Sequence, residues 1–349
     1  MKFVFFLSAF LVLGSSIMIP HIGPATGKPL PIYNVDIDAP LRDQWAPILK
    51  DFKAPFAKFI HDFRAILPLP DSFYSFVGKY AKHGFKFQRY VEEIEIFSEL
   101  LEADFNILFT LNLLYEIQSG KACTSIVFRD ENGRIIHGRN WDFEFWSELA
   151  HISFQINYHK NGQLFYQAQA IAGAVFFFTA QKPGKFAVSI NARHTKTFLT
   201  NIYELLFTNN VPALYLVREF METVDTYDEV VLKFKTTPTV DPVYYIVSGP
   251  GLYDGTIIEK DRDFVKQSFI LTDETWFLVQ TNYDRDIPDP KHDERRTPAE
   301  QRMTQYGQSL TEQGLLDDVL SIFPNFNIAT ISSTLMSTQT GYFNNTVWY

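Results

Sequence analysis

Apolar residues recur at helical spacing in the first third of this chain and in strand-like runs after Cys123, and that one switch excludes most architectures. From Pro40 to Gly120 the spacing predicts helices. Val91, Ile94, Phe97 and Leu101 fall on a single helix face. Phe105–Tyr115 is apolar all round, which suits a buried helix or one that meets lipid. At Cys123 strand-forming runs begin, and Asn132-Gly133 and Asn161-Gly162 predict two successive hairpins, the second from Ile152–Tyr158 and Gln163–Ala170. Beyond them the pattern predicts a strand over Lys185–Asn191 and helices over Phe198–Phe207, Val211–Glu222 and Tyr227–Lys233. Strands follow at Val243–Val247, Gly255–Lys260 and Thr275–Thr281, then helices near Pro298–Tyr306 and Thr311–Ile322. The last strand is expected over about Ile328–Met336. Blocks of strands and blocks of helices predict a layered antiparallel α+β fold rather than alternating βαβ units. Residues 20–40, rich in Pro and Gly, are read as an extended arm.

Met1-Lys2 followed by the apolar run from Phe3 to Leu13 and by small residues predicts a secretory signal peptide over residues 1–18. That run falls short of the roughly 20 residues a membrane-spanning helix needs. The remainder is expected to be luminal or extracellular, and Asn344-Asn345-Thr346 is a glycosylation sequon consistent with that. A chain with 1 cysteine makes no internal disulfide, so its stability must come from a core, for which 46% hydrophobic residues and 34 Phe suffice. A net charge of −9 argues against a nucleic-acid partner. The histidines show no metal-ligand spacing, and neither metal nor cofactor is expected.

The cysteine itself is the candidate nucleophile. A lone Cys is usually an inert apolar filler. Cys123 instead opens a strand shortly after the helical segment, and cleavage of Ala122–Cys123 would put a free α-amine beside its thiol, a base next to a nucleophile. With Asn132-Gly133 as a two-residue turn, the hairpin register places Cys123 directly opposite Asp142, a carboxylate that could hold the new amine. Arg139 then points to the other face and joins the site only through a bulge or strand end. The alternative is that Arg139 and Asp142 form a solvated cross-strand pair and that His137 is an ordinary strand residue. Phe176-Phe177-Phe178 could line an apolar pocket or simply be core.

Cys123-Thr-Ser-Ile-Val, with Ile136-His-Gly-Arg-Asn-Trp-Asp-Phe143, resembles the acid ceramidase and N-acylethanolamine acid amidase family. The likeness continues at Asn161-Gly162, Lys182-Pro-Gly184, Val243-Tyr-Tyr-Ile-Val247, Gln280-Thr-Asn-Tyr-Asp284 and Asp293-Glu-Arg-Arg-Thr297. The resemblance implies an N-terminal-nucleophile hydrolase, an αββα sandwich over residues 123–349, preceded by a helical segment over residues 19–122. It implies a precursor cut between Ala122 and Cys123, whose two parts stay together as an α/β heterodimer in the lysosome lumen or outside the cell. By the family pattern Cys123 is the nucleophile, flanked by Arg139 and Asp142; Asn282 contributes to the oxyanion hole and Arg295 supports the site. The expected substrate is a long-chain lipid amide, an N-acylethanolamine or a ceramide, with membrane contact through the leading segment. The absence of paired structural cysteines, the short stretch from Asp142 to Asn161-Gly162 and Pro288-Asp-Pro-Lys lean to the ethanolamide branch. Two departures stand out: Asn191-Ala192-Arg193 has Ala where the family usually carries Glu, and Phe176 and Phe177 replace small residues.

Overall fold

The computed structural model describes Pro20 and residues 26–66, 69–117, 121–143, 145–193 and 198–349. The expected signal peptide over residues 1–18 lies outside them. The leading arm carries two strands that sequence patterning did not reveal, β1 (Gly27–Pro29) and β2 (Ile32–Asp36). Helices α1 (Leu41–Ile66), α2 (Asp71–Gly84), α3 (Gln88–Leu101), α4 (Phe105–Leu111) and α5 (Leu114–Ile117) follow. Asp104 caps α4 by accepting the N–H groups of Asn106 and Ile107. Ile107 to Leu111 are all buried, so this helix offers no free apolar face to a membrane.

After it come β3 (Lys121–Arg129), β4 (Ile135–Phe143), α6 (Trp146–His151), β5 (Ser153–Lys160), β6 (Gln163–Ile171), β7 (Thr179–Lys182) and β8 (Phe186–Ala192). Next are α7 (Phe198–Phe207), α8 (Ala213–Thr223), α9 (Tyr227–Thr236), β9 (Val243–Ser248), β10 (Gly255–Lys260), β11 (Val265–Ile270) and β12 (Phe277–Gln280). The chain ends with α10 (Arg296–Tyr306), α11 (Glu312–Leu315), β13 (Thr330–Ser337) and β14 (Tyr342–Trp348). The strand expected last is therefore followed by another, and β7 and β11 are additional.

The strands form a six-stranded sheet, β1-β14-β13-β4-β3-β12, and an eight-stranded sheet, β11-β10-β9-β8-β7-β6-β5-β2. Alternation along each strand sorts side chains between the inner and outer faces. Val127 and Ile135 face inward and pack against Ile246 and Ile257 of the opposite sheet. Ile126, Phe128 and Ile136 face outward and pack with Ala299 and Met303 of α10. On the other outer face Phe234 of α9 stacks on Tyr245 and meets Phe220 of α8 edge-on. Helices thus cover both outer faces, the αββα layering. The leading helices join the eight-stranded sheet, with Phe52 stacked on Phe154 at 5.1 Å. A buried ion pair, Arg218 Nη1 to Glu93 Oε2 at 2.9 Å, ties α8 to α3.

Candidate active site

The β3–β4 hairpin has a register one residue away from the expected one. Its loop holds Glu131, Asn132 and Gly133, closed by Asp130 N–H donating to Arg134 O at 2.9 Å. The Asp130 carboxylate accepts the N–H groups of Asn132 and Arg134, and Gly133 adopts φ +79°. Cys123 consequently pairs with Trp141, and Asp142 pairs with Ala122. This corrects the predicted Cys123–Asp142 pairing. It also removes the difficulty over Arg139, which pairs with Ser125 and so shares the inner face with Cys123 without any bulge between them.

Arg139 is fully buried, and its Nη2 lies 3.1 Å from Cys123 Sγ. Its Nη1 donates to Phe178 O at 2.7 Å and to Thr179 Oγ1 at 2.6 Å. The fork is thus aimed by the start of β7, and a fixed positive charge sits against the thiol. The Cys123 N–H donates to Asn282 Oδ1 at 2.7 Å, and Asn282 Nδ2 donates to Ala192 O at 2.7 Å. Ala192, the departure from the family pattern, offers the site only its backbone carbonyl, while Arg193 turns away to Asp284 at 2.7 Å.

Arg295, at the start of α10, gathers the rest. Its Nη1 donates to Cys123 O at 2.6 Å, and its Nη2 donates to Asn282 Oδ1 at 2.8 Å. Asp293 accepts from Nε at 2.7 Å and from Nη2 at 3.0 Å. Asp142, on the outer face of β4, reaches this cluster indirectly, with Oδ2 3.5 Å from Arg295 Nη1 and 3.3 Å from Asn327 Nδ2. Burial pushes the Asp142 carboxyl up from 3.8 to about 6 although Arg295 opposes the rise. The single charge of Arg295 is shared with Asp293, so it does not fully compensate Asp142. All five predicted residues therefore converge: Arg139, Asn282 and Arg295 contact Cys123 directly, and Asp142 reaches it through Arg295.

Sequence reasoning missed Thr179, Asp293, Ser125, Ser189 and Asn191. A usable signal was present: polar residues alternate on apolar strands at Cys123/Ser125, His137/Arg139 and Ser189/Asn191, as an inward polar stripe requires. His137, expected to be an ordinary strand residue, is fully buried. Beside Trp141 an apolar cavity of about 50 Å³ is lined by Phe59 and Tyr115 of the leading segment and by Phe176 and Phe178. The aromatic run is thus both core and cavity wall. Among the described residues no cluster of His, Cys, Asp and Glu is arranged to hold a metal ion. Asn344 of the sequon lies within β14, half-buried and paired with Leu335.

The family model of the beta subunit of N-acylethanolamine-hydrolyzing acid amidase matches residues 28–89. That of linear amide C–N hydrolases, choloylglycine hydrolase family, matches residues 123–324. The chain is 33% identical to the N-acylethanolamine-hydrolyzing acid amidase of Rattus norvegicus over 322 residues, which cover 90% of this chain and 87% of that protein. It is 27% identical to the acid ceramidase of Mus musculus over 358 residues, covering 93% and 88% of the two chains. Among solved structures, the N-acylethanolamine-hydrolyzing acid amidase ortholog of Caenorhabditis elegans matches at 32% identity with a TM-score of 0.57, covering 62% of this chain and 93% of that one. The second family match begins at Cys123, where the helical texture gives way to strands. The chain belongs to the choloylglycine hydrolase family of linear amide C–N hydrolases, on the branch of the N-acylethanolamine acid amidases and acid ceramidases, and it is a hydrolase of amide bonds.

Proposed function

We propose that the protein is an acid amidase that hydrolyses long-chain N-acylethanolamines to a fatty acid and an amine, after cutting its own chain between Ala122 and Cys123. One observation carries this reading: the Cys123 thiol lies against Arg139 at 3.1 Å while its N–H rests on Asn282 at 2.7 Å. Once the Ala122–Cys123 bond is cut, the same Asn282 Oδ1 holds the freed α-amine. The amine takes the thiol proton, and Arg139 stabilises the thiolate. Sulfur then adds to the substrate carbonyl, and the carbonyl electrons move to oxygen. Asn282 Nδ2 has one hydrogen on Ala192 O and a second for that oxyanion. The intermediate collapses, the proton passes from the α-amine to the leaving nitrogen, and water hydrolyses the resulting Cys123 thioester. Self-cleavage uses the same thiol against the carbonyl of Ala122.

Other features fit this scheme. Cys123 is only 2% exposed, as suits a precursor that keeps its nucleophile from substrate. The cavity beside Trp141 is apolar but small against the ~300–1,000 Å³ of formed ligand sites. Seating an acyl chain there requires Phe176, Phe178 and Tyr115 to part. The leading segment stays attached after the cut, because β1 pairs with β14 and β2 pairs with β5. Residues 1–18 as a signal peptide and a glycan on Asn344 suit a lysosomal or secreted protein. Any contact of the leading segment with a membrane surface falls to α2, where Phe76 is 51% exposed, rather than to buried α4. No described helix is long and apolar enough to cross a membrane. Ethanolamides are favoured over ceramides by the higher identity to the ethanolamide enzymes, 33% against 27%.

The test is incubation of the purified precursor at about pH 4.5, followed by intact mass, N-terminal sequencing and assays on ethanolamides and ceramides, with Cys123→Ala alongside. The wild type should yield a chain that begins at Cys123 and releases fatty acid, and the variant should stay whole. A folded wild type that stays whole and binds lipid amides without turnover would replace this reading with that of a lipid-binding homologue.

A further inference from the structure

A line of buried polar groups crosses the interior between the two sheets, and the proposed chemistry does not use it. His137 Nδ1 lies 3.1 Å from Ser248 Oγ and Nε2 lies 2.8 Å from Ser189 Oγ. Ser189 Oγ lies 2.9 Å from Ser125 Oγ, which lies 2.8 Å from Asn191 Oδ1. Asn191 Nδ2 donates to Gln280 O at 2.8 Å and to Thr281 O at 3.2 Å. All these residues are 2% exposed or less.

The direction of every hydrogen in this line is forced. The two carbonyls fix the amide group of Asn191, so its Oδ1 only accepts and Ser125 must donate to it. The single hydrogen of Ser125 is thereby used, so Ser189 donates to Ser125. Ser189 in turn accepts from His137 Nε2–H. The ring nitrogen Nδ1 is left as an acceptor, and Ser248 donates to it. One consistent polarity therefore runs from Ser248 to the backbone of residues 280–281, and it holds only while His137 is neutral. On β4 the charged group beside the ring is Arg139; β8 and β9 present it with hydroxyls alone. Burial, aided by Arg139, holds the imidazole down at about 3, so it stays neutral in acid.

The far end of the line meets the site. Asn191 braces the backbone of residues 280–281, while Asn282 reaches back to Ala192 O. The two neighbouring amides clamp β8 and the end of β12 reciprocally. We propose that neutral His137 is a positioning residue, which acts through Ser189, Ser125 and Asn191 to hold Asn282 in place for amide hydrolysis. This inference rests on the reading of Cys123 as nucleophile and of Asn282 as its amine and oxyanion partner.

The experiment is a double-mutant cycle on the processed enzyme, Ser189→Ala against Asn282→Ala, read as kcat and KM on an N-acylethanolamine. Ser189→Ala should lower kcat about tenfold with KM within twofold, as loss of one buried hydrogen bond would. Ser189→Thr, which keeps the hydroxyl, should restore kcat. In the Asn282→Ala background Ser189→Ala should change kcat less than twofold. An equal loss in both backgrounds, or no loss in either, overturns the inference while Cys123-dependent activity survives. Absence of any Cys123-dependent activity in the wild type defeats the underlying reading and this inference with it. A second measurement is independent of turnover: in protein labelled with 15N-histidine, His137 should show a neutral Nε2–H tautomer at about pH 4.5. A protonated ring there overturns the inference.

Discussion

Asp142 gives the protein a stability that depends on acid. Its carboxyl is fully buried and rises from 3.8 to about 6, roughly a hundredfold gain in proton affinity. At 1.36 kcal/mol per tenfold this amounts to ~3 kcal/mol. The sign follows from proton counting: between those values the folded chain binds more protons than the unfolded chain, so stability falls as pH rises. The contribution is fully present below about pH 4 and is lost as pH climbs through about 6. Burial also raises the Glu93 and Glu259 carboxyls, so the quantity to measure is a difference between two proteins. Cys123→Ala serves as the parent, which should stay in one piece, and Asp142→Asn is added to it. Asn resembles the protonated carboxyl in shape, so the two proteins should differ little at about pH 4. By about pH 7.5 the Asn variant should have gained ~3 kcal/mol relative to the parent, read as a higher urea midpoint. An equal gap at both pH values would refute the reasoning and mean that Asp142 is ionised throughout.

Three further outcomes are expected. Arg139→Lys replaces a fork that spans Phe178 O, Thr179 and Cys123 Sγ with a single ammonium; kcat should fall about 10- to 100-fold in steady-state assays while the melting profile is kept. Deleting Asn132 leaves Glu131 and Gly133 as a two-residue loop with Asp130 still opposite Arg134. Cys123 should then stay opposite Trp141 and Cys123-dependent cleavage should persist on gels, whereas an added loop residue that shifts the strands should abolish it. Arg218→Met strips the buried partner from Glu93 and should cost ~3–5 kcal/mol, seen as a lower melting temperature and as loss of the leading piece from the cleaved protein on gel filtration.

The hairpins, the α+β class and the residues around Cys123 were legible because periodicity and Asn-Gly turns are local signals. Helix Phe198–Phe207 and strand Gly255–Lys260 coincide with expectation for that reason. The register failed by one residue because Asn-Gly suits two loop lengths, and the Asp130 side chain selects the longer by accepting two backbone N–H groups. That single step moved Arg139 onto the face of Cys123 and Asp142 off it. Strands β1, β2 and β14 escaped notice because distant partners define them: Gly27–Pro29 has little strand character until it pairs with Thr346–Trp348. The role of Thr179 was equally hidden, since nothing near Arg139 in sequence announces which backbone will hold its guanidinium.

The leading arm forms one border of each sheet, β1 covering the edge of β14 and β2 that of β5. A catalytic half deprived of that arm would present two rows of unsatisfied N–H and C=O groups to any passing chain. The expected cut therefore produces two polypeptides but not two molecules. Their lifetimes are coupled, and turnover of the leading piece by a lumenal protease would remove the enzyme by driving the remainder into sheet-to-sheet aggregates. If the cut occurs, covering β14 and β5 would be a lasting duty of the leading segment, one that outlives the uncut chain.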